Sequence, residues 1–304
     1  MIGQPCSKGN CERRPGPAER DATALPVWAK LDSLRGLGYQ RRVSHLANKT
    51  IAVMGGTSGV GLSAAKAFIA EGASVVAVGR SPEKVAAAQK ELGKKAVVLG
   101  GDASDPATAE RAIATALKEF GGFHGLYHVA GGSGRKAGDG PLHQISDDGW
   151  RRTLELNLDS MFYSNRAAAR QFLKQKTGGS ILNMSSVLAF SPSRDFFATH
   201  AYATSKAAII GLTKASAAFY APQNIRFNVI APALVATPMS ERAQQDEGIM
   251  EFIRSKQPLD GGRIGRPEDL DMAAVYFLSD GSRFATGQVL AIDGGWTVTD
   301  GQRK

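Results

Sequence analysis

Tyr202 and Lys206 stand four positions apart in Tyr202-Ala-Thr-Ser-Lys206. On a helix, positions i and i+4 share a face, so the phenol and the ammonium would point the same way. A free tyrosine is a poor acid–base group because its pKa is about 10. A neighbouring lysine cation favours the phenolate and lowers that pKa. A tyrosine tuned this way can give a proton to a carbonyl or take one from an alcohol. The pentapeptide alone also fits a solvated helix face, so its chemistry depends on what positions it.

A second set of residues suits a nucleotide. Gly55-x-x-x-Gly59-x-Gly61 lies between a short apolar run and a stretch of helical composition. Glycines there let the backbone turn tightly and approach a pyrophosphate, which a helix N-terminus attracts. The next apolar run ends in Gly79-Arg80-Ser81, without the carboxylate that holds the ribose 2′-hydroxyl of NAD. Arg80 and Ser81 suit a 2′-phosphate instead, because a guanidinium donates two parallel hydrogen bonds. NADP(H) is therefore expected over NAD(H). Asp102, after the third apolar run, is placed to accept from an adenine amino group or to cap a helix.

The elements that would carry these residues alternate regularly. Strands are expected at Thr50–Met54, Ser74–Val78, Ala96–Leu99, Gly125–Val129, Ser180–Met184, Arg226–Ile230 and Gln288–Ile292. Helices are expected at Leu62–Glu71, Pro82–Leu92, Asp105–Glu119, about 146–175, about 201–219 and 267–278, with Ser81 as an N-cap before Pro82. Short apolar strands alternating with helices imply an α/β fold, a seven-stranded, mainly parallel, doubly wound sheet with helices on both faces.

Composition narrows the class. The chain has 304 residues, 43% hydrophobic and 21% charged, which are globular values. The net charge is +9, of which residues 1–47 carry eight Lys/Arg and four Asp/Glu. The body is thus mildly basic and has no basic stripe of the nucleic-acid-binding kind. Its only cysteines, Cys6 and Cys11, have no companion at metal-ligand spacing and form no disulfide framework. No run of 18 apolar residues occurs, so neither a membrane span nor a membrane partner is expected, and a reducing cytoplasm fits. Residues 1–47 read as an N-terminal extension, Pro/Gly/charge-rich and disordered over 1–24, with a short helix over about 25–40 marked by Trp28, Leu31 and Leu34. Residues 48–304 read as one catalytic domain.

Taken together, these motifs resemble the short-chain dehydrogenase/reductase family, and its 3-oxoacyl-carrier-protein reductase-like members in particular, over about residues 48–297. Val129-Ala130-Gly131, Leu154-Glu-Leu-Asn157-Leu, Ile181-Leu-Asn-Met-Ser-Ser186, Asn228-Val-Ile-Ala-Pro232, Thr237-Pro238 and Thr286-Gly-Gln-Val-Leu-Ala-Ile-Asp-Gly-Gly295 match the family's segments in order. The resemblance implies that Gly55, Thr57, Ser58, Gly59, Val60 and Gly61 cradle the cofactor. Asp102 would contact its adenine, with Ala103 beside it, Ala130 and Gly131 would support the cofactor after the fourth strand, and Pro232, Val235 and Thr237 would flank its nicotinamide. It also implies hydride transfer to or from a secondary alcohol or ketone, with Tyr202 as general acid/base and Lys206 lowering its pKa and binding the ribose. Ser186 would hold the substrate oxygen, and Asn157 a water linking Lys206 to solvent. Self-association as a tetramer or dimer through the helices at about 146–175 and 201–219 follows from the same resemblance.

The chain departs from the pattern at four places. Met54 replaces the usual Thr, His128-Val129 the usual Asn-Asn, and Ala233 the usual Gly. The stretch from Ser186 to Tyr202 is longer than usual, consistent with an insertion around Ser191–His200, and leaves Ser185 as a competitor for Ser186. The substrate pocket is expected from Gly132–Gly140 with Arg135 and Lys136, from 187–200 with Phe190, Phe196 and Phe197, and from a helical lid over 238–262. A catalytically weak NADP(H)-sensing or scaffold protein is the alternative reading.

Overall fold

A computed structural model describes residues 44–301. The expected extension over 1–43, its helix at 25–40 and both cysteines lie outside the described residues. Leu46, placed by the sequence in that extension, is buried in the same apolar cluster as Ile51 and Phe68.

Among the described residues the apolar runs form one seven-stranded, wholly parallel sheet. The strands are β1 (Thr50–Met54), β2 (Ser74–Gly79), β3 (Ala96–Gly100), β4 (Gly125–His128), β5 (Gly179–Met184), β6 (Ile225–Pro232) and β7 (Val289–Ile292). Their spatial order is 3-2-1-4-5-6-7. Strand side chains alternate between faces, and both faces are covered. Ile51 and Val53 enter one cluster with Phe68, Tyr127 and Val275. Ala52 and Met54 enter the other with Ala112, Phe172 and Phe227.

The helices are α1 (Gly59–Ala70), α2 (Pro82–Leu92), α3 (Pro106–Phe120), α4 (Asp147–Leu154), α5 (Ser160–Gln175), α6 (His200–Tyr220), α7 (Glu241–Gln244), α8 (Glu247–Lys256) and α9 (Asp271–Leu278). Their starts follow capping chemistry. Ser81 and Asp105 each accept a backbone N–H one turn on, and Pro82 and Pro106 open α2 and α3. Ser146 and Asp246 cap α4 and α8 in the same way.

Two expectations change. The helix expected over about 146–175 is interrupted by a π turn at Glu155–Asp159. The helix expected at 267–278 begins with a 3₁₀ turn at Pro267–Leu270. The strand order reverses at β1, which pairs with β2 on one side and β4 on the other. In doubly wound sheets that switch point opens a crevice at the carboxyl ends of the strands.

Candidate active site

The crevice is a cleft of about 1070 Å³. It collects the residues singled out from the sequence: Gly55, Thr57, Ser58, Gly59 and Val60 after β1, Arg80 and Ser81 after β2, and Asp102 and Ala103 after β3. Ala130 and Gly131, Asn157, Ser186, Tyr202, Lys206, Pro232, Val235 and Thr237 line it as well. Gly61 lies beneath the loop instead, where a Cβ would overlap the Gly55 carbonyl.

At Gly55, φ is +87°, and a Cβ would lie 2.7 Å from the Ala130 nitrogen. Only glycine allows β1 and β4 to end this close together. Ser58 opens α1 without a side-chain hydrogen bond, so the first N–H groups of α1 are not capped by it. Such a helix end suits a pyrophosphate. Arg80 Nη1 lies 3.9 Å from Asp102 Oδ2 across the cleft end. Burial raises the Asp102 pKa, but hydrogen bonds from Ser104 and the charges of Arg80 and Arg152 outweigh it and hold the carboxyl below its usual range. The Ser81 hydroxyl, expected at a 2′-phosphate, accepts from Lys84 N and donates to Glu83 Oε2 at 2.5 Å. Lys84 lines the cleft beside Arg80 as a second cation. The sequence reading missed it, although it falls one turn into the α2 whose start was recognised. The glycine cradle, the open helix end and the cations at β2 together fit a dinucleotide cofactor.

At the other end, α6 carries Tyr202 in its first turn and Lys206 one turn later. Lys206 is 3% exposed and donates from Nζ to Met184 O at 3.0 Å. Its Nζ lies 5.4 Å from the Tyr202 ring centroid. The Ser186 hydroxyl, which accepts from Leu188 N at 3.2 Å, lies near enough to the Tyr202 phenol to favour its ionised form. Its competitor Ser185 is buried and donates to Lys206 O at 2.7 Å, so that hydroxyl ties β5 to α6.

The expected acidification of Tyr202 by Lys206 is not what this arrangement produces. Burial pushes the phenol up to about 12, opposed by the Ser186 hydroxyl. Burial also pulls the Lys206 ammonium down to about 8. Desolvation disfavours both charged forms.

Asn157 sits in the π turn, fully buried. Its Oδ1 accepts from Gly132 N at 3.2 Å, and its Nδ2 donates to Gly132 O and Thr153 O at 2.9 Å. A Cβ at Gly131 would lie 2.6 Å from Asn157 Oδ1 and 3.6 Å from Lys206 Nζ, so both polar groups border the space beside this glycine. His128, also buried, has Nε2 3.1 Å from Ala130 O and Nδ1 2.8 Å from Ser164 Oγ. A carbonyl can only accept, so Nε2 carries the proton and donates it to Ala130 O. Burial, then the charge of Lys206, keep it neutral, with a pKa near 3.

The sequence reading also missed Asp139. The residue is 6% exposed, and its carboxylate accepts from Ala201 N at 3.0 Å and Tyr202 N at 2.9 Å. His200 N donates to Gly140 O at 3.1 Å beside it. Thr199, the residue before α6, makes no side-chain cap. Asp139 therefore caps α6 from a different segment. No short-range spacing signals a cap that arrives from about 60 residues away.

Beyond Ser186 the cleft wall is apolar. Val187, Leu188, Phe197, Leu234 and Trp296 line it. Trp296 donates to Ser191 O and packs edge-on against Phe197 and Phe252. Phe196 packs on Phe252, while Phe190 is exposed. The expected lid carries α7 and α8, whose Ala243, Ile249 and Ile253 are buried against Val187 and Trp296.

This fold and this Ser–Tyr–Lys constellation define a dinucleotide-binding oxidoreductase. A family model described as enoyl-(acyl carrier protein) reductase matches residues 55–297. The chain belongs to the short-chain dehydrogenase/reductase family. It is similar to a 3beta-hydroxysteroid dehydrogenase of Eggerthella lenta, 33% identical over 83% of this chain and 96% of that protein. It is similar to an NADP-dependent (R)-specific alcohol dehydrogenase of Lentilactobacillus kefiri, 33% identical over 83% of this chain and 98% of that protein. A short-chain type dehydrogenase/reductase from Mycobacterium ulcerans shares the fold with a TM-score of 0.76 and 33% identity, covering 84% of this chain and 91% of that one.

Proposed function

We propose that this protein is an NADP(H)-dependent oxidoreductase interconverting a secondary alcohol and a ketone, with Tyr202 as general acid/base. The observation that carries this reading is one cleft with Arg80 and Lys84 at one end and Ser186, Tyr202 and Lys206 at the other. The cofactor, held by the Gly55–Gly61 loop, Arg80 and Lys84, supplies the hydride. Ser186 donates to the substrate oxygen as negative charge grows on it. Tyr202 gives that oxygen its proton. An alkoxide is a stronger base than a phenolate, so a phenol with a pKa near 12 is acid enough for the task. Lys206 stabilises the phenolate that forms, and Asn157, which shares with Lys206 the space beside Gly131, supports a water-borne path that restores the proton.

Relatives named for alcohols and hydroxysteroids support the alcohol/ketone class over an enoyl substrate. The four-position spacing of Tyr202 and Lys206 supports it too. We also read the chain as self-associating through α5 and α6, where Phe162, Leu173 and Phe219 are exposed; light scattering on the full chain tests this. Among the described residues no helix is long and apolar enough to cross a membrane.

The decisive experiment is NADPH oxidation across a ketone panel and NADP reduction across alcohols, with wild type and Tyr202→Phe. The expected result is turnover that falls by about 10²–10⁴-fold in the variant. NADPH binding without turnover on any substrate, identical in Tyr202→Phe, would favour the sensor or scaffold reading.

A further inference from the structure

The cofactor's negative charge accounts for only some of the cations in the cleft. Arg80 and Lys84 stand at the end suited to a 2′-phosphate, and backbone N–H groups of the glycine loop suit the pyrophosphate. Arg135, Lys136 and Arg242 line the other end, with Glu241 as the carboxylate on the same rim. Asp139 lies close to Arg135, but its two oxygens are committed to the amides of Ala201 and Tyr202.

Arg135 is fixed in place. It sits in a short turn between Gly134 and Gly138, both with positive φ, and its Nη2 donates to Phe196 O at 2.9 Å. That bond leaves most of its N–H donors unused by the fold. Burial, and next the charge of Arg242, hold the Arg135 pKa below its ordinary range, while Asp139 opposes them. Both residues line the cleft, and the two guanidinium groups are within electrostatic reach of each other. Like charges so placed repel, and an anion between them converts the repulsion into two charge-assisted contacts. The surrounding wall of Leu188, Phe197, Leu234 and Trp296 is apolar, so the rest of the ligand must be apolar too.

We propose that the substrate is a hydroxy or keto acid with an apolar body, its carboxylate gripped by Arg135 and Arg242 while its carbinol or carbonyl oxygen meets Ser186 and Tyr202. Three cations set against the carboxylates of Glu241 and Asp139 leave a net charge of about +1 at this end, so a monoanion fits better than a dianion. This assignment rests on the alcohol/ketone reading above and adds the substrate class to it.

The test is a matched pair, 4-oxocyclohexanecarboxylate and its methyl ester, reduced with NADPH by wild type, Arg242→Gln and Arg135→Gln. Arg242 makes no hydrogen bond or ion pair within the described residues, so Arg242→Gln removes charge without removing a structural contact. Wild type is expected to favour the acid over the ester by about tenfold or more in kcat/KM, and each variant to cut that ratio by about tenfold. Equal rates on acid and ester in wild type, or a ratio unchanged in both variants, would overturn the proposal. A parallel calorimetric titration of cyclohexanecarboxylate into the NADP-loaded protein needs no turnover. Binding that weakens about tenfold in Arg242→Gln supports the anion site even if no ketone is reduced, and then only the oxidoreductase reading falls. Ketone turnover with no carboxylate binding overturns the anion site and leaves the oxidoreductase reading standing. An Arg242→Gln variant that loses NADPH affinity as strongly as carboxylate affinity assigns the guanidinium to the cofactor and also overturns the proposal.

Discussion

The carboxylate of Asp139 spans the first turn of α6 and accepts the backbone N–H of Tyr202 itself at 2.9 Å. The proposed proton donor is thus held from the loop after β4, the loop that also lines the substrate end of the cleft. An anion at a helix N-terminus satisfies orphan donors and complements the helix dipole.

Asp139→Ala should therefore lower stability by about 1–2 kcal/mol and let the start of α6 fray. Turnover should fall by about tenfold or more through kcat, with the NADPH dissociation constant much less affected. Asp139→Asn keeps one acceptor and turns an NH₂ toward the other amide, so an intermediate effect is expected. Urea unfolding, steady-state kinetics and NADPH titration on both variants check this. A loss of activity no greater than the loss of folded protein would reduce Asp139 to a purely structural cap.

Gly131→Ala would place a methyl 2.6 Å from Asn157 Oδ1. Asn157 must then leave Gly132, and the π turn loses the bonds that stabilise it. The expected cost is about 1–3 kcal/mol, the scale of a buried amide left unpaired. Turnover should fall with it, because the same methyl would lie 3.6 Å from Lys206 Nζ. Thermal unfolding and kcat measured together provide the check.

Arg80→Asp should weaken NADPH far more than NADH, by about tenfold or more, since it replaces a charge-assisted phosphate contact with repulsion. Lys84→Ala should weaken NADPH in the same direction by a smaller factor. Fluorescence titration with both cofactors is sufficient. Equal weakening of NADPH and NADH would remove Arg80 from the 2′-phosphate.

Asp271 and Tyr127 give a prediction about pH. Asp271 Oδ2 accepts from Ser63 Oγ at 2.7 Å, while its Oδ1 and the Tyr127 hydroxyl are buried without a hydrogen-bond partner. Burial raises the Asp271 pKa from 3.8 to about 6. A raised carboxyl pKa adds stability below pH 3.8, and that stability is lost as pH rises through about 6. At a pH of about 7.5 the ionised group is a burden. Asp271→Asn should then stabilise the protein by about 1 kcal/mol, discounted because the group keeps some contact with water. The gain should shrink toward a pH of about 4.5. Tyr127→Phe, which deletes an unpaired buried hydroxyl, should be neutral or stabilising by about 1 kcal/mol. Chemical unfolding at the two pH values measures both.

The strands and their alternation with helices were legible because each is a local pattern. The β1 and α2 boundaries match to the residue, since an apolar run and a Ser81-Pro82 cap are signals within a few positions. The π turn at Glu155–Asp159 was not legible, because it is stabilised by Asn157 reaching Gly132, 25 positions away.

The sequence by itself determined the residue types, the glycine loop, the Tyr202–Lys206 spacing and the missing carboxylate after β2. These depend on covalent order and local backbone preference. Tertiary structure decided what those residues experience. It chose Ser186 over Ser185 as the hydroxyl facing Tyr202, by committing Ser185 to the Lys206 carbonyl. It brought Asp139 to the first turn of α6 and Arg242 toward Arg135. It also moved the Tyr202 pKa against the direction its spacing from Lys206 implied, and lowered that of Lys206, both by burial. The reason is common to all of these: hydrogen-bond partners and desolvation are set by what packs around a group, and the packing partners lie far away along the chain.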